Sequence, residues 1–235
     1  MASANIVGYN NTTAGTDLNW YAPTFFTPGA NTTDIQDINL NDNGTGAVGM
    51  GDSMQIVGPK GNPIAGYFYW MQAMDMTGTV KTPYFWADET FTPVNISFDS
   101  GEALAIDNPN SLAFSISNAG EVPSEDASFD AVTDLNWTGN PFPAPISIQS
   151  ITLDDGGTGA VGMGDSMQIV GPKGNPIAGY FYWVKEMDMT GTVTTPYFWA
   201  DETFTPVAGT LEPGAGIAID NPNGLVFKIK IACPY

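Results

Sequence analysis

The sequence predicts an all-β chain built as two tandem, homologous β-sandwich domains of jelly-roll or Greek-key type. Three observations carry that expectation. The stretch Gly44 to Trp70 returns residue for residue at Gly157 to Trp183. Short apolar runs alternate with Gly, Pro, Asn and Asp turns along the whole chain, and no segment has the periodicity of an amphipathic helix. The 27 glycines and 18 prolines weaken helix interiors and suit short strands joined by tight turns.

The repeat sets the domain organisation. An offset of 113 residues holds without a gap from Ile35, which matches Ile148, to Ser117, which matches Lys230. Equal spacing over that distance requires equal strand and turn lengths in both copies. Over Gly44 to Val94 only Met71, Gln72, Ala73 and Lys81 differ from their partners Val184, Lys185, Glu186 and Thr194. The period is too long for a solenoid or propeller blade and long enough for each copy to bury its own core. The expected domains are 1–119 and 120–235, joined by the short acidic segment Asn118 to Ala127.

Taken in order, Ala4 to Tyr9 reads as an opening strand, followed by a polar loop, NNTTAGT. Thr16 to Trp20 matches Thr133 to Trp137, and the loop after that tryptophan is longer in the first copy. Length differences between copies of one fold normally lie in surface loops, so Tyr21 to Thr32 is expected at the surface. Ile35 to Leu40 alternates as a strand and Asp42-Asn43-Gly44 supplies a turn. Met54 and Ile56 lead into Pro59-Lys60-Gly61-Asn62-Pro63, and Ile64 to Met71 returns from it as a hairpin. Met71 to Thr77 fits a helical turn or a continuing strand. The triplets Phe68-Tyr69-Trp70 and Tyr84-Phe85-Trp86 place rings on both faces of their strands, so one face enters a core and the other needs a cover. In the last strand of each copy, Leu112, Phe114 and Ile116 alternate with Ser115 and Ser117. Leu225, Phe227, Ile229 and Ile231 alternate with Lys228 and Lys230, as a half-buried strand requires.

Charge narrows the function. A net charge of −19, six basic residues and no histidine leave no surface to replace the counterions of nucleic acid, and anionic membranes are disfavoured likewise. No apolar run reaches the length of a membrane span. Met1-Ala2-Ser3-Ala4 resembles the residue of a cleaved signal peptide behind a start Met, which points to export. The sequons at Asn10, Asn11, Asn31, Asn43, Asn95 and Asn136 permit glycosylation in a suitable host. The single cysteine, Cys233, has no intrachain partner and no base beside it, and reads as a structural thiol.

Catalytic candidates are few, because there is no histidine, GxSxG or phosphate loop. The pair Asp88-Glu89, repeated at Asp201-Glu202, has the residue types of a glycosidase. Adjacent strand positions face opposite ways, however, and these acids read as turn residues, so no enzyme is expected. No cofactor is expected either. Asp42, Asp52, Asp75 and Asp107, with Asp155, Asp165, Asp188 and Asp220, offer hard oxygen ligands that suit a structural Ca2+ without forming an EF-hand.

The segments Ser3-Ala4-Asn5-Ile6-Val7-Gly8-Tyr9, Gly51-Asp52-Ser53-Met54-Gln55, the Tyr-Phe-Tyr strand and the Asn108-Pro109 turn resemble those of a loose group of uncharacterised secreted bacterial tandem β-domain surface proteins. The resemblance covers nearly the whole chain. It implies export and a tandem β architecture, and carries over no catalytic residue.

The functional expectation is a structural subunit of an extracellular filament, sheath or surface layer, with itself as partner, polymerising head to tail. Ile6, Val7 and Tyr9 at one end and Leu225, Phe227, Ile229 and Ile231 at the other are the expected assembly residues, pairing as strands with the next copy or completing their own domains. The alternative is a lectin-like module that binds glycans on exposed Trp70, Trp86, Trp183 and Trp199.

Overall fold

A computed structural model describes residues 7–15, 17–43, 55–57, 67–72, 77, 83–108, 113–158, 161, 168–170, 180–184, 196–221 and 223–235. Among these, the chain is all-β and every strand pairing is antiparallel. The first repeat supplies β1 (Val7–Thr13), β2 (Asp17–Tyr21), β3 (Thr32–Asp34), β4 (Asn39–Asn41), β5 (Gln55–Val57), β6 (Tyr67–Met71), β7 (Phe85–Ala87), β8 (Ser97–Asp99), β9 (Leu104–Asn108) and β10 (Ser115–Glu121). The second supplies the same set in the same order: β11 (Ala127–Asp130), β12 (Asp134–Gly139), β13 (Ile146–Ser147), β14 (Ile151–Asp154), β15 (Gln168–Val170), β16 (Tyr180–Val184), β17 (Phe198–Ala200), β18 (Thr210–Leu211), β19 (Gly216–Asn221) and β20 (Lys228–Ile231).

Sheet order repeats as faithfully as strand order. Each repeat has a three-stranded sheet (β1-β10-β4 and β11-β20-β14), a five-stranded sheet (β2-β9-β5-β6-β7 and β12-β19-β15-β16-β17) and a two-stranded ladder (β3-β8 and β13-β18). These sheets are open. The expected hairpin is present as a ladder, Ile56 opposite Phe68 and Ile169 opposite Phe181. Its turn, like most of Met71 to Thr77, lies outside the described residues.

Both large sheets of a repeat feed one core. In the first, Tyr21, Trp70, Trp86, Leu104 and Ile106 of the five-stranded sheet pack with Leu40, Phe114 and Ile116 of the three-stranded one. The second repeat buries the counterparts Leu153, Trp183, Trp199, Ile217, Ile219, Phe227 and Ile229. A 3-10 turn starts beneath each core, at Ile35 and Ile148. It is capped by Asp34 in one copy and Ser147 in the other, each side chain accepting from the amide two residues on.

Two expectations need correction. The polar run Asn10 to Thr13 is strand, not loop, because β10 offers it a complete ladder from Val7 opposite Glu121 to Thr13 opposite Ser115. The Tyr21 to Thr32 segment is a surface loop only from Thr27 onward, and residues 21–26 are buried. Buried Asn118 explains this. Its amide donates to the Phe25 carbonyl (2.6 Å), and its oxygen accepts from the Tyr21 hydroxyl (2.6 Å) and the Thr24 amide (3.4 Å). The last strand of the first repeat, β10, ends at Glu121.

Candidate interaction surfaces

The best-built surface in the molecule lies between its two repeats. Trp20 of β2 stacks on Trp137 of β12, with centroids 5.9 Å apart and planes 17° apart. Around them Ala22, Ala103, Ala105 and Ala218 are fully buried and Leu135 packs alongside. Small residues let the backbones approach: a Cβ on Gly139 would overlap the Ala215 carbonyl and the Ala22 side chain, and one on Gly216 would press on the Trp20 backbone.

Two of the backbone contacts at this junction come in matched pairs. Tyr21 bridges Ala215, and the counterpart pair, Thr138 and Glu102, forms the matching bridge. The Ala22 amide donates to the Gly214 carbonyl (2.9 Å), and the Gly139 amide to the Gly101 carbonyl (3.2 Å). Like therefore meets like about a local two-fold axis, an isologous contact. Each repeat's patch is covered by its counterpart within the chain.

The two terminal strands are placed differently, the C-terminal one central in its sheet and the N-terminal one at an edge. Phe227, Ile229 and Ile231 are buried in their own repeat and Leu225 packs against the same core. β20 is flanked on both sides by β11 and β14, so it has no free edge to offer another chain. Val7 and Tyr9 lie on β1, an edge strand, with the Tyr9 ring exposed. Ile6 lies outside the described residues.

The four tryptophans proposed as open platforms are core. Trp86 and Trp199 are fully buried, and each indole N–H donates to a backbone carbonyl, that of Ile38 or of Ile151, at 2.7 Å. Trp70 and Trp183 are also buried and stack on Tyr84 and Tyr197 at 5.7 Å. Rings with no open face cannot accept a sugar.

The β7 and β17 edges are sealed by side chains. Gln36 donates to the carbonyls of Trp86 (2.8 Å) and Val94 (2.6 Å) and accepts from the Trp86 amide (3.0 Å). Gln149 makes the same three bonds to Trp199 and Val207. These bonds take up backbone groups that an edge would otherwise present to another strand.

Past each sealed edge stands an apolar tip. Asp88 Oδ1 accepts from the Thr90 amide (2.8 Å), the Thr90 hydroxyl (2.7 Å) and the Thr92 amide (3.0 Å), and Asp201 repeats the set with Thr203 and Thr205. The Thr90 and Thr203 hydroxyls are the main reason both carboxyls are held below the usual carboxylate range. The cage carries Phe91 at φ 63° and Phe204 at φ 60°, left-handed values that cost a side chain other than glycine about 1–2 kcal/mol. Their rings are 69% and 68% exposed.

Comparison with protein-family models, curated proteins and solved structures returns no match. Function is therefore argued from these surfaces alone.

The remaining candidates resolve into local roles. Asp88 and Glu89 are turn residues, with the Asp88 oxygen consumed by the cage. Asp155 caps its own turn, accepting from the amides of Gly157 (2.9 Å) and Val161 (3.1 Å). Among the described residues no three His, Cys, Asp or Glu side chains gather to hold a metal. Asp52, Asp75, Asp165 and Asp188 lie outside those residues. Asn136 is buried, donating to the Val132 carbonyl (2.9 Å) and accepting from its amide (2.6 Å), which closes that sequon in the folded chain. Cys233 is half-buried, with its thiol 3.5 Å from the Tyr235 carbonyl. A cleft of about 280 Å3 opens where the longer first-copy loop meets Glu121 to Glu125, with Phe26, Ala30, Val122 and Pro123 in its lining.

Proposed function

We propose that the chain is an exported structural subunit of two β-sandwich domains that self-assembles into an extracellular filament, sheath or surface layer. The observation that supports this reading is the like-on-like junction. It closes one self-complementary surface inside the chain, so any further contact must use other surfaces, some of which, such as the Phe91 and Phe204 turns, occur in both repeats. A subunit with two equivalent ends extends into an open line when an end of one chain pairs with an end of the next, unless the second axis happens to close the ring. Export rests on the resemblance of segments such as Gly51 to Gln55 to those of secreted tandem β-domain proteins. The acidic surplus keeps such a unit soluble until it is concentrated.

Sedimentation velocity of the purified chain over a wide concentration range tests the reading. A distribution that moves to progressively larger species is expected, and a single monomer boundary at every concentration and salt contradicts it.

A further inference from the structure

We propose that β1 is a docking edge for a second copy of this chain, the two β1 strands pairing antiparallel about a two-fold axis at Asn10. The inference rests on the self-assembling reading above and names its contact strand and register. β10 takes one side of β1 along its whole length, and among the described residues no strand takes the other. The described edge strands longer than three residues are β1, β2, β11, β12 and β14. All but β1 carry an aspartate: Asp17, Asp130, Asp134 and Asp154 in turn. The shorter edges β7 and β17 are sealed by Gln36 and Gln149. A charge or a proline on an edge is the ordinary guard against pairing with another chain, and β1 has neither.

The neutrality extends across the sheet. On its outer face the ladder sets Thr13, Ser115 and Asn41 in one row and Asn11, Ser117 and Asn39 in the next. The same face of the second repeat is charged, with Lys228 paired to Asp130 (2.8 Å) and Lys230 to Asp154. A neutral edge on a neutral face gives neither an acidic nor a basic partner any charge complement. An uncharged strand fits, and a second β1 is one. The other long described edges of a neighbouring copy would each bring an aspartate to this edge, so β1 of one chain is matched by β1 of the next.

Self-pairing also keeps the register. With Asn10 at the axis, Val7 lies opposite the partner's Thr13, Gly8 opposite the partner's Thr12 and Tyr9 opposite the partner's Asn11. Odd positions meet odd ones, so the exposed set Tyr9, Asn11 and Thr13 stays on one face, whereas a one-residue slip would turn it to the covered side. The Tyr9 ring, 61% exposed, gains the partner's Asn11 as a cross-strand neighbour. Seven residues form a ladder on the order of 20 Å long. The contact closes on itself and makes pairs, so a longer assembly needs a second contact elsewhere. Because both chains are acidic away from the neutral edge, pairing strengthens as salt screens their repulsion.

Sedimentation velocity at high concentration and raised salt compares the full chain with Asn11→Lys. Asn11 is exposed, so the variant keeps the fold, which thermal unfolding checks. The added lysine guards the edge while lowering the net negative charge, so lost pairing does not come from stronger repulsion between whole chains. The expected result is an association constant about tenfold or more weaker in the variant. Cross-linking on a Cys233→Ser background reads the register. Under a mild oxidant, Tyr9→Cys chains mixed with Asn11→Cys chains form an intermolecular disulfide, whereas Tyr9→Cys mixed with Thr13→Cys, two residues out of register, does not. Undiminished association of Asn11→Lys, or equal cross-linking in the two mixtures, overturns the β1 assignment and leaves self-assembly standing. A chain that pairs through β1 and grows no further sustains the assignment and overturns the filament reading. An unaltered chain that stays monomeric overturns both.

Discussion

The indole of Trp20 lies 5.9 Å from that of Trp137, almost parallel to it, and each residue is the other's counterpart in the repeat. A tandem duplication has thus been joined as a two-fold dimer is, with one self-complementary patch closed inside the chain.

This junction has no slack. Gly139→Val places branched carbons on the Ala215 carbonyl and the Ala22 side chain, and overpacking of this kind costs about 1–3 kcal/mol. Chemical denaturation is expected to show a lower midpoint for the variant, with tryptophan fluorescence reporting the separation of Trp20 from Trp137.

Asn118 does the work of an entire loop anchor. Asn118→Leu takes from the buried Tyr21 hydroxyl its Asn118 acceptor, while the Phe25 carbonyl keeps the Thr33 hydroxyl as donor, a loss of about 1–3 kcal/mol. The measured destabilisation is expected to exceed that of Asn39→Leu, an exposed change on β4 of the same sheet.

The paired indole bonds allow an internal control. Trp86→Phe and Trp199→Phe each remove a buried donor to a buried carbonyl, Ile38 or Ile151, and each is expected to lower stability by about 1–3 kcal/mol. Equal effects in the two repeats would show that the copies are energetically as well as geometrically alike.

Asp88 and Asp201 make the tips acid-sensitive. Their folded pKa values lie below the ordinary value, first because the Thr90 and Thr203 hydroxyls donate to the ionised form. The contribution of the cage is therefore complete above the unfolded aspartate value of about 3.9 and is lost as pH falls through the lower folded value. Carboxyl NMR titration is expected to place both residues below the ordinary aspartate value.

Much of the fold was legible before any coordinates. The gap-free offset required the same elements twice, and among the described residues ten strands are followed by their ten counterparts. Alternation in Phe227 to Ile231 named its buried face correctly. Tertiary partners explain the rest. Nothing local in Asn10 to Thr13 indicates a strand, because its ladder depends on β10, more than a hundred residues later. Residues 21–26 read as loop because the anchor, Asn118, is equally distant. Alternation says that Trp70 and Trp86 face opposite ways from their neighbours, but not which element covers them. The junction did leave a signal in the small residues Ala105, Ala218, Gly139 and Gly216 around a repeated tryptophan. The tips left one too, since a phenylalanine in a caged turn, present twice, departs from ordinary turn chemistry.

Electron microscopy of the concentrated, full-length chain at raised salt tests the central claim most directly. Unbranched filaments in which both repeats of every chain contact a neighbour are the predicted result. Dispersed single particles, each one chain with its two repeats closed on one another, would contradict it.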